Sequence, residues 1–150
     1  MTAAQLALLI AIGIGLHNFS EGLAIGSSSA VGDLKFTLLL IIGFSAHNAT
    51  EAFGIVSPLV GTRASWKFLI LCGLIGGAPN TAGTLVGYFS NSEIVSQLFL
   101  SIAAGAIMYV IGELLAAGRK LEAHAWSGWG LAMGFILGLL TDFLLVLGGA

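Results

Sequence analysis

The chain has 150 residues, of which 57% are hydrophobic and 8% charged, and its formal net charge at pH 7 is −2. An ordinary soluble domain carries about 25% charged residues, so this composition excludes a soluble globular protein and indicates an integral membrane protein. The single cysteine, Cys72, excludes an internal disulfide and a cysteine-based metal site. We expect the chain to meet the lipid bilayer and no nucleic acid.

Five apolar stretches are long enough to cross a bilayer, which takes about 20 residues of α-helix. We predict an all-α polytopic membrane protein in which five transmembrane helices form a bundle and the whole chain, 1–150, is one domain. The first stretch is unlike a signal peptide, because it lacks a basic start and is interrupted by His17 and Glu21. The predicted helices are residues 3–28, 36–58, 68–89, 94–117 and 126–147.

The first predicted helix contains His17, Asn18 and Glu21 in the middle of its apolar run. A charge at the bilayer centre costs about 2.5 to 3.5 kcal/mol, so these groups need partners. On a helix the three residues lie at about 0°, 100° and 40° around the axis, which places them on one arc. His17 and Glu21 are four residues apart and can therefore reach a common point.

The second predicted helix repeats the pattern with His47, Asn48 and Glu51, also in mid-span. A short loop makes the two helices antiparallel, so their polar arcs can face each other near the membrane midplane. Two imidazoles and two carboxylates suit zinc, iron(II), manganese or cobalt, whereas calcium and magnesium prefer oxygen alone. A single His–Glu pair would as readily be a structural polar contact between helices. The repetition favours the metal site.

Two further features of the predicted helices are their glycines and the isolated acidic residues of the fourth and fifth spans. Glycines in the first, third and fifth spans predict close helix packing. In the fourth span Glu113 lies on the same face as Tyr109, where it could support the site, line the metal pathway or make an interhelical hydrogen bond. Asp142 lies near the outer end of the fifth span.

The basic residues predict the orientation. Four of the five lie in the second and fourth loops, and short loops rich in Lys and Arg remain in the cytoplasm. The N-terminus is then cytoplasmic and the C-terminus outside, and we expect the protein in the cell membrane. Trp66, Trp126 and Trp129 lie beside the same loops, as interfacial tryptophans do.

Four segments resemble the ZIP (Zrt-, Irt-like protein) family of divalent metal transporters. "GLHNFSEGLAIG" looks like the family's fourth-helix signature and "SAHNATEAFGI" like its fifth helix. "GGAPNTAGTLVGYF" is similar to the sixth helix and "AAGAIMYVIGELL" to the seventh. The last span fits the eighth by position and glycine content, so the resemblance covers essentially the whole chain.

The resemblance implies a binuclear metal site between the first two helices of this chain. The main position would use His17, Glu21, His47 and Glu51. A second position, bridged by the two glutamates, would use Asn18, Asn48 and Asn80. The implied function is transport of a divalent transition metal into the cytoplasm, with zinc as the main candidate substrate and iron, manganese, cobalt or cadmium as further candidates. The metal is then cargo, and the protein is a transporter and no enzyme.

This chain departs from the family pattern in three ways. Members have eight helices and this chain supplies the last five, so the others would come from a longer natural chain, a partner, or association of identical subunits. The usual prolines are replaced by Ser20 and Thr50, whose hydroxyls can bond back to a carbonyl one turn earlier. The second metal position is all amide, which predicts one strong site and a weak auxiliary one.

Two other functions fit the residues. Histidine and glutamate ligands with an open position could activate water in a membrane-embedded metalloenzyme. The chain lacks, however, both the His-Glu-x-x-His pattern of zinc proteases and the Glu-x-x-His pattern of di-iron bundles. The second alternative is a half transporter that binds metal and depends on a partner.

Overall fold

The computed structural model describes residues 1–90 and 92–147, without the side chains of Asp142, Leu144 and Leu145; the expectation for Asp142 lies outside the described residues. The described chain is helical and contains no strand, which confirms the all-α prediction. Among the described residues, four helical segments are long and apolar enough to cross a membrane: Ala3–Ala30, Leu34–Leu59, Trp66–Phe89 and Glu93–Lys120. The helices are α1 (Ala3–Ala30), α2 (Leu34–Val56), a 3-10 turn (Ser57–Leu59), α3 (Trp66–Phe89), α4 (Glu93–Lys120) and α5 (His124–Leu147).

The helix ends differ from the predicted spans by at most three residues, and polar residues cap or extend the helices where they differ. Asp33 and Ser65 accept hydrogen bonds from the first turns of α2 and α3, which satisfies N–H groups that have no partner within the helix. Helix α1 continues two residues beyond the predicted end at Ser28, to Ala30, and Ser28 shares a 2.6 Å hydrogen bond with Thr37 of α2. The chain then turns at Gly32, whose φ of 79° favours glycine.

Helix α1 is the centre of the bundle, and α3 runs parallel to it in close contact. Gly22 and Gly26 of α1 lie against the backbone of α3, while Gly83 and Gly87 of α3 lie against the backbone of α1. A Cβ added to any of these glycines would collide with main-chain atoms of the other helix. The predicted close packing is therefore present between the first and third spans, and it fixes α3 beside the His-Asn-x-x-Glu motif of α1.

The other helices make looser contacts. Helix α4 crosses α1, where Ser20 Oγ donates a 3.0 Å hydrogen bond to the Phe99 carbonyl. Ile55 of α2 and Leu59 of the 3-10 turn are buried. Helix α5 meets α4 near their connecting turn, where Gly118 lies against Ser127. The glycines of α5 do not pack as expected, since nothing in the described part of the chain lies within 4 Å of a Cβ built at Gly128, Gly130, Gly134 or Gly138.

Candidate metal centre

Four of the predicted ligand side chains meet between α1 and α2. His17 Nε2 lies 3.4 Å from Glu21 Oε1 and 3.9 Å from Glu51 Oε1. His47 Nε2 lies 3.3 Å from Glu51 Oε1 and 3.8 Å from Glu21 Oε1. Nitrogen and oxygen therefore alternate around a closed ring of four atoms. The antiparallel arrangement of the two helices makes this convergence possible, because each helix supplies one nitrogen and one oxygen one turn apart.

The four nitrogen–oxygen distances of this ring can be compared with the edges of a tetrahedral metal site. Metal–ligand bonds of about 2.0 to 2.1 Å in tetrahedral geometry place neighbouring ligand atoms about 3.3 Å apart. The two distances within a helix, 3.4 and 3.3 Å, already have this value. The two distances between helices, 3.9 and 3.8 Å, exceed it by about half an ångström. The ligand atoms that all lie within 4.8 Å of one another are those of His17, Glu21 and His47, without Glu51, so α2 must approach α1 before the four atoms form a tetrahedral shell.

The four side chains differ in exposure. Glu21 and Glu51 are 5% and 11% exposed, whereas His17 is 25% and His47 51% exposed. The carboxylates thus form the buried side of the centre and the imidazoles its open side. The centroids of the two imidazole rings are 5.7 Å apart and the ring planes are tilted by 57°, so the rings are not stacked face to face. His17, Glu21 and His47 each offer a ligand atom within 4.8 Å of the others.

The second oxygen of each carboxylate has a different environment. Glu21 Oε2 and Glu51 Oε2 are fully buried and have no hydrogen-bond partner among the described residues. The same holds for Asn18 Oδ1 and Asn48 Oδ1. Leaving a buried acceptor unpaired costs about 1 to 3 kcal/mol, so four such oxygens are unusual unless a cation, proton donor or water meets them. These are the residues that the resemblance assigns to the second position.

Asn18 is also held by α3. Its Nδ2 donates a 2.9 Å hydrogen bond to the Gly76 carbonyl, which leaves Oδ1 as the free end of the amide. The contact lies beside Pro79, which is inside α3 and lacks the N–H that would bond to the Ile75 carbonyl. Gly15 of α1 approaches that carbonyl closely. The proline-interrupted turn of α3 therefore orients an amide of α1.

The remaining predicted residues lie around this centre. Asn80 lines a cavity between α1, α2 and α3 together with Asn48. Glu113 is partly buried on α4 and is not among the residues whose ligand atoms cluster. Of the two hydroxyls that can bond back within their own helix, Thr50 does so, with a 2.6 Å hydrogen bond to the His47 carbonyl. The hydroxyl of Ser20 bonds to the Phe99 carbonyl of α4 instead.

The sequence reasoning missed the bond from Asn18 to α3 and the bond from Ser20 to α4. Pro79 indicated an interrupted turn in α3, but the carbonyl that it leaves free is that of Ile75 and not that of Gly76, to which Asn18 bonds. No comparable signal exists for Ser20, because a hydroxyl in a membrane helix bonds either within its helix or to another one.

The sequence is similar to a known protein family and to individual members of it. Residues 1–147 match the family model described as ZIP Zinc transporter. Zinc transporter GufA of Myxococcus xanthus is 32% identical over 142 residues, which are 93% of this chain and 56% of that protein. Zinc transporter ZupT of Streptococcus mutans is 29% identical over 147 residues, which are 95% of this chain and 55% of that protein.

A human relative shows the same pattern of coverage. Zinc transporter ZIP6 is 29% identical over 151 aligned residues, which are 96% of this chain and 20% of that protein. The chain thus spans about half the length of the bacterial relatives and a fifth of the human one. No solved structure matches the chain. The match to the family model covers nearly the whole sequence, and the chain belongs to the ZIP zinc transporter family.

Proposed function

We propose that the protein carries a divalent transition metal across the membrane through the centre formed by His17, Glu21, His47 and Glu51, with zinc as the main candidate substrate. The observation that carries the proposal is the ring of two imidazole nitrogens and two carboxylate oxygens, with distances of 3.3 to 3.9 Å. Two carboxylates neutralise a dication and lower the cost of holding it away from water. Iron(II), manganese, cobalt and cadmium are further candidate substrates, since the ligand types accept them.

The second position would take an ion more weakly. Its oxygens come from Asn18, Asn48 and the far sides of the two glutamates, with Asn80 nearby. Amide oxygens bring no negative charge, and the glutamates would already be neutralised by the first ion. Glu113 belongs, in this proposal, to the path by which metal leaves the centre.

The direction of transport follows from the loop charges. Arg63, Lys67, Arg119 and Lys120 are exposed at the ends of α3 and α4 that we place in the cytoplasm. Metal then moves from outside the cell membrane to the cytoplasm, with the N-terminus inside and the C-terminus outside. The part of the longer relatives that this chain does not cover would be supplied here by a partner, by a second copy of the chain, or by a longer polypeptide.

Reconstitution tests the proposal against its alternatives. Zinc-free liposomes containing the chain should accumulate zinc when a gradient is applied, and empty liposomes should not. Competition with manganese, iron(II), cobalt and cadmium would rank the substrates. Tight binding without uptake would instead favour a half transporter that depends on a partner. Conversion of a substrate without net movement of metal would favour a metalloenzyme.

Charging the second position should raise the number of ions bound. Replacing Asn48 by aspartate places a carboxylate where a buried amide oxygen lacks a partner, so the Asn48→Asp variant should bind two zinc ions per chain where the original binds one. Isothermal titration calorimetry in detergent measures this stoichiometry. Gln97→Glu is the matched control, because it adds the same charge at an exposed position of α4. An unchanged stoichiometry in Asn48→Asp would remove the second position from the proposal.

A further inference from the structure

Among the described residues, helices α4 and α5 meet near the turn that joins them and separate beyond it. Gly118 of α4 lies so close to Ser127 of α5 that a Cβ at position 118 would collide with the serine side chain. The face of α5 that contains Ser127 continues with three glycines, because residues three, seven and eleven positions on return to nearly the same side of a helix. Nothing in the described part of the chain lies within 4 Å of a Cβ built at Gly130, Gly134 or Gly138. We name the open space between the two helices the α4–α5 cleft.

The α4–α5 cleft has apolar walls at the depth of the hydrocarbon. Each residue of α5 after Ser127 whose side chain the structure describes is exposed. On the α4 side Ile111, seven residues before Gly118, is also exposed. Gly134 lies ten residues after the start of α5 at His124, which is about 15 Å along the helix and inside the hydrocarbon core. A cleft of this kind suits the acyl chain of a lipid.

Two basic residues lie at the end of the α4–α5 cleft where the helices meet. Arg119 and Lys120 belong to the last turn of α4 and are exposed. Neither forms an ion pair with a described residue, since the ion pairs of the described chain all lie in the metal centre. Glu122 is the one acid of the turn, so positive charge remains in excess. A guanidinium without a carboxylate partner can bind a phosphate through two parallel N–H bonds.

Two tryptophans lie at the same end of the α4–α5 cleft. Trp126 and Trp129 belong to the first two turns of α5 and are exposed. Tryptophan favours the headgroup level of a bilayer, where its ring remains in apolar surroundings and its N–H finds a polar partner. From the membrane surface inwards, the chain thus presents cations, indole rings and an apolar cleft. This is the order of phosphate, glycerol and acyl chain in a phospholipid.

We infer that the α4–α5 cleft binds an anionic phospholipid, whose phosphate lies at Arg119 and Lys120 and whose acyl chain lies between the two helices. Anionic lipids are found in the cytoplasmic leaflet, on the side where we place these two residues. Charge complementarity favours a lipid over a second copy of the chain, because two copies would bring the same cations together. The inference is independent of the proposed function, since it involves no metal and no residue of the metal centre.

Quenching of tryptophan fluorescence by brominated lipids tests the inference. The background variant Trp66→Phe removes the tryptophan at the start of α3, so that the emission comes from Trp126 and Trp129 alone. The protein is reconstituted in dioleoylphosphatidylcholine with rising fractions of brominated phosphatidylglycerol or, in parallel, brominated phosphatidylcholine. The two probes have the same brominated chains and differ in headgroup charge, so the ratio of their quenching constants measures the preference for an anionic lipid.

Phosphatidylglycerol should be preferred at least about fivefold, because each basic residue near an anionic lipid contributes about fivefold in affinity and Glu122 offsets part of the gain. The preference should disappear in Arg119→Gln with Lys120→Gln. The matched control is Arg63→Gln with Lys67→Gln, which removes two exposed positive charges at the start of α3, on the same side of the membrane. This control should retain the preference.

Two results of this comparison would overturn the inference. Equal quenching by the two lipids would show that no anionic lipid is selected. The same loss of preference in the test and control variants would assign the effect to the general charge of the membrane face. If the double variant does not fold, the single variants Arg119→Gln and Lys120→Gln replace it, and each should lower the preference severalfold.

Filling the α4–α5 cleft tests the place of the acyl chain. Gly134→Leu should weaken quenching by phosphatidylglycerol severalfold, whereas Gly128→Leu should not, because Gly128 is about 100° around the helix from Ser127. Unchanged quenching in Gly134→Leu would overturn the inference.

A second copy of the chain is the alternative occupant. The variant Gly134→Cys would then form a disulfide between copies when the membranes are oxidised with copper phenanthroline, whereas Cys72 is buried and serves as the background in the unsubstituted chain. Such a disulfide in membranes that contain phosphatidylglycerol would overturn the inference, and a Gly134→Cys chain that stays monomeric would support it.

Discussion

Replacing either buried carboxylate, in Glu21→Gln or Glu51→Gln, should nearly abolish zinc binding. Each glutamate places Oε1 within 3.9 Å of both imidazole nitrogens and is almost fully buried. Removing one partner from a buried ionic contact costs about 3 to 5 kcal/mol, which is roughly a hundredfold to a few thousandfold in Kd. Glutamine keeps the size of the side chain, so the loss measures charge rather than packing. Zinc titration of the purified variants gives the Kd.

The control for this experiment is Glu93→Gln, which makes the same chemical change at an exposed position in the first turn of α4. The Kd of Glu93→Gln for zinc should equal that of the unsubstituted chain. In a separate measurement, the double variant Glu21→Gln with Glu51→Gln should show no zinc uptake into liposomes. Uptake that persists in the double variant would show that the metal crosses elsewhere.

Substituting alanine at Gly83 should destabilise the bundle and weaken zinc binding together. A Cβ at this position would collide with the Phe19 carbonyl and crowd the backbone around Leu23, and these main-chain atoms cannot rotate away. Overpacking of this kind costs about 1 to 3 kcal/mol, and a chain of this size loses roughly 2 to 4 °C in Tm per kcal/mol. Separation of α1 from α3 would also stretch the hydrogen bond from Asn18 to the Gly76 carbonyl.

The matched control is Gly73→Ala, because nothing lies within 4 Å of a Cβ built at Gly73 on the same helix. Alanine favours a helix over glycine by about 0.5 to 1 kcal/mol, so this variant should equal or slightly exceed the original in Tm. Thermal unfolding in detergent followed by circular dichroism compares the two. Equal stability of Gly83→Ala and Gly73→Ala would contradict the close packing of α1 against α3.

The meeting of the four ligand side chains followed from spacing alone. Residues four apart on a helix share a face, and a short loop makes consecutive membrane helices antiparallel, so the two motifs had to face each other or face lipid. The cost of ionisable groups in lipid favours the first arrangement. His17, Glu21, His47 and Glu51 do lie together; that they bind and move a metal stays a prediction.

The pairs of helices that pack against each other could not be predicted from the sequence in the same way. Outside the polar arcs, the helix faces that contact lipid and those that contact other helices are equally apolar, so hydrophobic periodicity does not show which helices touch. Glycine spacing indicated close contacts in the first, third and fifth spans. It could not show that Gly22 and Gly83 pair across α1 and α3, or that the glycines of α5 would lack a neighbour in the described chain.

Helix ends were missed for a related reason. The sequence predicts that the first helix ends at the polar residues Ser27 and Ser28, yet α1 continues through both to Ala30. Their hydroxyls find partners on neighbouring helices, Ser28 at Thr37 and Ser27 at the Gly87 carbonyl, 3.5 Å away. Polarity in a membrane sequence therefore indicates a need for hydrogen bonds, which a neighbouring helix can satisfy as well as water can.

X-ray absorption at the zinc K-edge, on protein loaded with one equivalent of zinc in detergent, tests the metal centre most directly. The expected first shell has two imidazole nitrogens and two carboxylate oxygens at about 2.0 to 2.1 Å, with the multiple scattering of two imidazole rings. His17→Ala and His47→Ala should each remove half of that imidazole signal. A shell without imidazole, or an imidazole signal unchanged in both variants, would contradict the assignment of His17, Glu21, His47 and Glu51 as the metal ligands.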